Sequence, residues 1–196
     1  MHLPERIITE GQGKDSCSAR LVSDSFYGRL SVDFGREGTS CSSGSKDVDM
    51  ILESFAEATG ARIEFSAKGA AVESMDIAKH SGLLLGTCLR GMISKNKDAP
   101  GQGHAVHVSG ESVASIALTA RGAQEGGPIN MQIAGGSDEA LEFARDHAAP
   151  FLEGLCEGIE GDMKAFFRPG ESKKLASACI SSSLGRAVKR SLGRSE

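Results

Sequence analysis

Leu85-Gly86-Thr87-Cys88-Leu89-Arg90 and Leu184-Gly185-Arg186-Ala187-Val188-Lys189 follow one pattern: leucine, glycine, a polar residue, a small one, an aliphatic one and a base. Each copy lies in a stretch with helical periodicity, and each stretch is the last helix of its half of the chain. So short an echo has little weight alone. Its return in the same element of both halves points to an internal duplication. The chain divides accordingly into residues 1–100 and 101–196, two halves of one compact pseudo-symmetric unit. The break between them spans 94–103, with Asp98-Ala99-Pro100-Gly101 at its centre.

The first copy belongs to a helix expected from about residue 74 to 93, whose apolar face is Ile77, Leu84, Leu85, Cys88, Leu89 and Met92. Upstream, Val48, Ile51, Leu52, Phe55 and Ala56 recur at three- and four-residue spacing and mark another helix. Ser45 is its expected N-cap, Asp47 and Asp49 fall in its first turn, and Gly60 is its C-cap. Ile63, Phe65 and Ala67 alternate as a strand between these helices, closed by Gly69. Residues 17–23 and 27–34 read as an antiparallel hairpin, because Leu30, Val32 and Phe34 alternate with Ser31 and Asp33. The Gly/Ser-rich stretch 35–45 reads as a loop.

The second half repeats the order. Strands are expected at 104–108, 112–120 and 129–134, then a helical region over 138–158 that Pro150 kinks or splits. A strand at 163–167 and a final helix at 173–192 complete it. The fold class is α+β: two duplicated half-domains, each a mostly antiparallel or mixed sheet with two helices on one face. Neither half can hide that face alone, so the helical layers should pack together between the halves.

At 196 residues, 39% apolar and 24% charged, the chain has the make-up of a globular protein. The longest apolar stretch, 81–93, is interrupted by Arg90 and too short to cross a bilayer, so no membrane partner is expected. The N-terminus MHLPERIITEG has no apolar secretory core, and a cytoplasmic location is expected. A formal charge of −4, no Trp and one Tyr deprive the chain of the field and the stacking platforms of a nucleic-acid binder. The five cysteines, Cys17, Cys41, Cys88, Cys156 and Cys179, form no CxxC pair. That argues against a structural zinc site and for reduced thiols, Cys88 packing as a small hydrophobe.

Four stretches carry a likeness to a known family. Asp49-Met50-Ile51-Leu52 stands where that family has DHML, and Ala67-Lys68-Gly69 where it has AKG. Ser81-Gly82-Leu83-Leu84-Leu85-Gly86 is similar to its helix segment VGIALG, and Gly103-His104-Ala105 to the FGHA that begins its second half. In these the chain resembles the imidazoleglycerol-phosphate dehydratases, manganese-dependent hydro-lyases of histidine biosynthesis built from two duplicated halves. The family's metal ligands do not carry over. The His of DHML falls on Met50, one HHxxE-type motif on Met75, Asp76 and Lys79, and the other on Lys174, Leu175 and Ala178. The basic pair before FGH, part of the family's substrate region, falls on Pro100 and Gly101. Octahedral sites need several N and O donors at once, which Met, Lys, Leu and Ala do not supply.

The resemblance therefore implies a divergent relative with a degenerate metal site, and no metal or other cofactor is expected. The expected function is that of a repurposed or non-catalytic homo-oligomer, a trimer or smaller. It would bind a small anionic, phosphate-bearing metabolite or a protein partner. The alternative is a metal-independent lyase or acid–base enzyme using Asp76, His80 and Lys174, or a residual hydro-lyase.

Among individual residues, Asp76 and His80 stand four apart near a helix start and face the same way. They fit an acid/base pair with Lys79 beside them, half of a new metal site, or a solvated pair capping the helix. Ser172, Lys173 and Lys174 open the last helix, where backbone N–H groups and ammonium groups suit a phosphate. Without an anion, cations there oppose the helix dipole. Residues 173–196 hold six bases and one acid, either a partner surface or a solvated helix face. His104 and His107, three apart on a strand, point to opposite faces and make a poor metal pair. His147 reads as a surface residue after an acidic helix. Gly11-Gln12-Gly13-Lys14 lacks the GxxxxGK[ST] spacing of a phosphate loop, and no GxSxG or HExxH motif is present.

Overall fold

Leu30 and Val32 are fully buried while Arg29 is exposed and Ser31 half-buried, so the period-two pattern of the hairpin is that of a strand with one face on a core. The computed structural model describes residues 6–68, 73–120 and 129–194; Gly69, expected to close a strand, lies outside them. The first half runs β1 (Arg6–Gln12), β2 (Ser16–Val22), β3 (Tyr27–Asp33), β4 (Gly38–Ser42), α1 (Lys46–Thr59), β5 (Arg62–Lys68) and α2 (Ser74–Lys95). The second runs β6 (Gln102–Ser109), β7 (Ser112–Thr119), β8 (Asn130–Ile133), α3 (Asp138–Phe143), a π-helical turn (Ala144–Ala148), α4 (Ala149–Ile159), β9 (Asp162–Arg168) and α5 (Lys173–Ser191).

The sheets are ordered β1-β2-β3-β5-β4 and β6-β7-β9-β8. In each, the inner pair is antiparallel, β3 with β5 and β7 with β9, and an outer strand joins in parallel, β4 on β5 and β8 on β9. Leaving β1 aside, the two orders are the same. That is the expected duplication, in the expected fold class.

Two local expectations need correction. Stretch 35–45 is not all loop, since β4 pairs in parallel register with β5 from Gly38↔Arg62 to Ser42↔Ser66. β1 was not expected at all; nearly every residue in it is exposed, so it has no alternating apolar face to betray it. Pro150 stands where the helical region is split, as expected: it sits in the first turn of α4, just after the π-helical turn, where its missing N–H is best tolerated.

The helices of the two halves pack crosswise, α2 on α4 and α1 on α5. Gly82 and Gly86 of α2 interleave with Gly154 and Gly158 of α4. A Cβ on Gly82 would strike the carbonyl of Phe151, and one on Gly154 the carbonyl of Lys79. Backbone therefore lies directly on backbone. The pseudo-equivalent crossing puts Gly185 of α5 against the end of α1, where a Cβ would come within 2.9 Å of Thr59 Cγ2. The repeated Leu-Gly pair thus marks the same contact in both halves: the last helix of one crossing the first helix of the other. Phe55, Phe143, Phe151 and Phe167 are fully buried in a single core cluster that runs through both halves. Each such ring is worth about 2–3 kcal/mol of burial.

β6 occupies the edge that β1 covers in the other sheet. Side chains of α5, packed on the sheet, bond to its backbone: Ser183 Oγ donates to Ala105 O at 2.9 Å, Cys179 Sγ to His107 O at 3.3 Å, and Arg190 to His104 O. All five cysteines are free thiols, and Cys88 is fully buried, as a small hydrophobe would be.

Candidate functional site

The N-termini of α1, α2, α3 and α5 meet at one end of the helical layer, which gathers the positive ends of four dipoles. The chain enters α1 through an interlocked turn, in which Ser43 Oγ donates to Ser45 O, Ser45 N to Ser43 Oγ, and Ser43 N to Asp49 Oδ1. This frees the Ser45 hydroxyl from capping. Ser45 occupies the N-cap position without a side-chain cap bond, and its Oγ lies 2.7 Å from Ser74 Oγ at the start of α2. Ser74 Oγ in turn lies 2.9 Å from His147 Nε2 on the π-helical turn. The same nitrogen is 3.6 Å from Asp47 Oδ2, and Asp47 Oδ1 is 2.9 Å from Lys173 Nζ. The carboxylate of Asp47, with Glu139 at 4.0 Å, holds the Lys173 ammonium above the usual lysine range against the cost of its partial burial. One chain of polar contacts therefore crosses from α1 to α2, to the π-helical turn and to α5.

His147 is not the surface residue its sequence context suggests. Its side chain is 13% exposed and stacks on Phe143, with centroids 6.1 Å apart at 18°. Phe143, His147 and Phe151 are spaced four apart, so the histidine lies on the apolar stripe. That spacing was the available signal.

The other expected residues have different neighbours. Asp76 is exposed in the first turn of α2, Lys79 pairs with Glu157 at 3.5 Å, and His80 tilts against Phe26 with centroids 4.5 Å apart. Ser172 caps α5 by accepting from Leu175 N at 3.5 Å, and Lys174 is exposed beside it. The anion that relieves Lys173 at a helix start is Asp47, supplied by the other half of the chain. His104 is exposed on β6 while His107 turns toward α5, so the two do face apart.

The donor set does not fit manganese. Met75–Asp76 and Lys174–Leu175 are the second and third residues of α2 and α5, corresponding places in the two halves. Met75 is 45% and Leu175 44% exposed, and Met50 is half-buried. Thioether, ammonium and alkyl groups cannot complete octahedral N/O coordination. Among the described residues, no group of three or more His, Cys, Asp or Glu is placed to hold a metal ion.

A second feature lies on the far face of the five-stranded sheet. Ser18, Ser31, Glu64 and Ser40 form a row in register across β2, β3, β5 and β4. Ser18, Ser31 and Glu64 line a groove of about 560 Å³ rimmed by Asp33, Arg36 and Arg62, and Ser40 lines a depression of about 340 Å³ that reaches Arg29.

No protein-family model matches the sequence, and no curated protein does. Solved structures do. The chain is similar to imidazoleglycerol-phosphate dehydratase from Pyrococcus furiosus at 16% identity and a TM-score of 0.69, over 90% of this chain and 94% of that one. It is similar to the same enzyme from Staphylococcus aureus subsp. aureus N315 at 14% identity and a TM-score of 0.69, over 95% of this chain and 98% of that one. Both likenesses run through the two duplicated halves. The chain therefore has the fold of the imidazoleglycerol-phosphate dehydratases.

Proposed function

We propose that this chain is a divergent relative of the imidazoleglycerol-phosphate dehydratases that no longer performs manganese-dependent dehydration. It is repurposed to bind a small anionic, phosphate-bearing metabolite as a homo-oligomer. One observation carries the reading: the helix N-termini converge on a Ser45–Ser74–His147–Asp47–Lys173 network of hydroxyl, imidazole and ion-paired groups, while the corresponding motif positions hold Met50, Met75, Lys174 and Leu175. Metal analysis of purified protein should find no tightly held manganese, and imidazoleglycerol phosphate should not be dehydrated with or without added manganese. Two firmly bound ions per chain would overturn the reading.

Two places suit the anion. Ser172 and the exposed Lys174 stand at the start of a 19-residue helix, although Lys173 is already neutralised by Asp47. Arg36 and Arg62 reach the groove on the sheet and Arg29 the depression beside it, each with further guanidinium N–H groups beyond its carboxylate partner. Titration calorimetry with inorganic phosphate separates them: loss on Lys174→Ala places the anion at α5, and loss on Arg36→Ala with Arg62→Ala places it in the groove. Exposed Met75 and Leu175 support burial against another copy, and light scattering should report a trimer or smaller.

The second reading is a metal-independent acid–base enzyme using Asp76, His80 and Lys174. Its support is the spacing of Asp76 and His80 on one face of α2. Unchanged activity in Asp76→Asn and His80→Ala would end it.

A further inference from the structure

Ser74 is the first residue of a 22-residue helix, and its hydroxyl lies 2.9 Å from His147 Nε2. The first intrahelical bond of α2 runs from Ile77 N to Glu73 O, so the N–H groups of Met75 and Asp76 have no acceptor within the helix. A nucleophile, a base in hydrogen-bond reach and unpaired amide donors beside the nucleophile are the three parts of acyl transfer without a metal. We propose that Ser74 and His147 form a nucleophile–base dyad that cleaves small carboxylic esters. The proposal goes beyond anion binding and depends neither on the groove nor on Lys174.

With the ring hydrogen on Nδ1, the Ser74 hydroxyl donates to His147 Nε2. Ser74 Oγ attacks the ester carbonyl carbon while its proton passes to Nε2, and the carbonyl oxygen takes the negative charge beside the amides of Met75 and Asp76. Collapse breaks the C–O bond to the alcohol, which leaves with the proton from Nε2, and the acyl group remains on Ser74. Water then repeats the sequence, with His147 as base, releasing the carboxylic acid and restoring Ser74. Ser45 is a positioning residue, its hydroxyl 2.7 Å from the nucleophilic oxygen. Asp47 Oδ2 lies 3.6 Å from Nε2, and its other oxygen holds Lys173. The pair is a dyad because Asp47 approaches Nε2, the nitrogen that faces the serine, and His147 Nδ1 is buried without a hydrogen-bond partner among the described residues.

A fluorophosphonate probe on the full chain should label Ser74, located by peptide mass spectrometry. Hydrolysis of 4-nitrophenyl acetate should fall at least 100-fold in kcat/KM in Ser74→Ala, and about 100-fold in His147→Gln. Labelling elsewhere, or equal hydrolysis by wild type and Ser74→Ala, overturns the proposal. If Ser74→Ala does not fold, Ser74→Cys carries the test. Its thiol should be alkylated by iodoacetamide at least tenfold faster than in the Ser74→Cys, His147→Gln double variant, and equal rates overturn the dyad.

Discussion

His107 sits on β6 beneath α5, with its carbonyl taking the Cys179 thiol and its ring near Arg186. Burial first, and the Arg186 charge second, push its pKa below the ordinary value of 6.5. The unfolded chain then takes up this proton before the folded one as pH falls. Stability from this residue is whole above about 6.5 and is lost as the pH drops through the lower folded value. The urea midpoint should therefore decline between about pH 7 and 5, and His107→Asn should flatten part of that decline. A slope that survives the substitution would assign it to other groups. At this scale the sequence was legible where a residue's face follows from its spacing: His104 and His107 do point apart. It was misleading at His147, because the acidic residues before it suggested solvent while the stripe Phe143, His147, Phe151 placed the ring inside. The contacts that make Ser74, Asp47 and Lys173 neighbours join residues from separate helices, and no local pattern encodes them.

At the scale of elements, the crossing of α2 on α4 is set by glycine. Adding a Cβ at Gly86 drives it onto the carbonyl of Leu155 and within 2.9 Å of Ile159 N, both backbone atoms that yield only if the helices part. Gly86→Ala should cost about 3 kcal/mol in urea unfolding. Gly91, on the same helix, is the control. The nearest atoms to its Cβ would be those of the Gln12 side chain, from 3.2 Å, an exposed side chain that can turn away. Gly91→Ala should be neutral or stabilise by up to about 1 kcal/mol, the helix propensity gained. Comparable losses at both positions would show that close approach is not what Gly86 provides. The Leu-Gly echo was therefore a legible sign of packing, although sequence alone did not say against what. Elements held by backbone pairing were not legible. β4 is Gly38-Thr39-Ser40-Cys41-Ser42, mostly exposed, and its strand character comes from hydrogen bonds to β5 rather than from an apolar period. The π-helical turn leaves no such mark either, since its extra residue is absorbed just before Pro150.

Across the whole molecule, the repeated topology is built on one shared core. The core is one cluster: Leu84, Leu85 and Cys88 from the first half join Phe151, Leu155 and Leu184 from the second. Polar bonds cross the same boundary inside it, from Ser181 Oγ to Ile51 O at 3.1 Å and from Asn96 Nδ2 to Leu192 O at 3.0 Å. Gly101 N donates to Ser191 O at 3.0 Å, binding the start of the second half to its own last helix. Lys173 and Asp47 add an ion pair between halves, part-exposed and worth at most about 1 kcal/mol. An isolated half would expose the glycine-lined face of α2 or α4 and the buried leucines beside it, at about 25 cal/mol per Å² of apolar surface returned to water. Fragments 1–100 and 101–196 should each lack a cooperative thermal transition in circular dichroism, whereas the intact chain should unfold in one. Mixed in equal amounts from denaturant, the fragments should recover that transition, because the crosswise helix contacts need proximity of the halves and not a covalent join. A fragment that melts cooperatively by itself would mean that one sheet and its two helices already bury enough, and that the duplicated halves are domains in their own right.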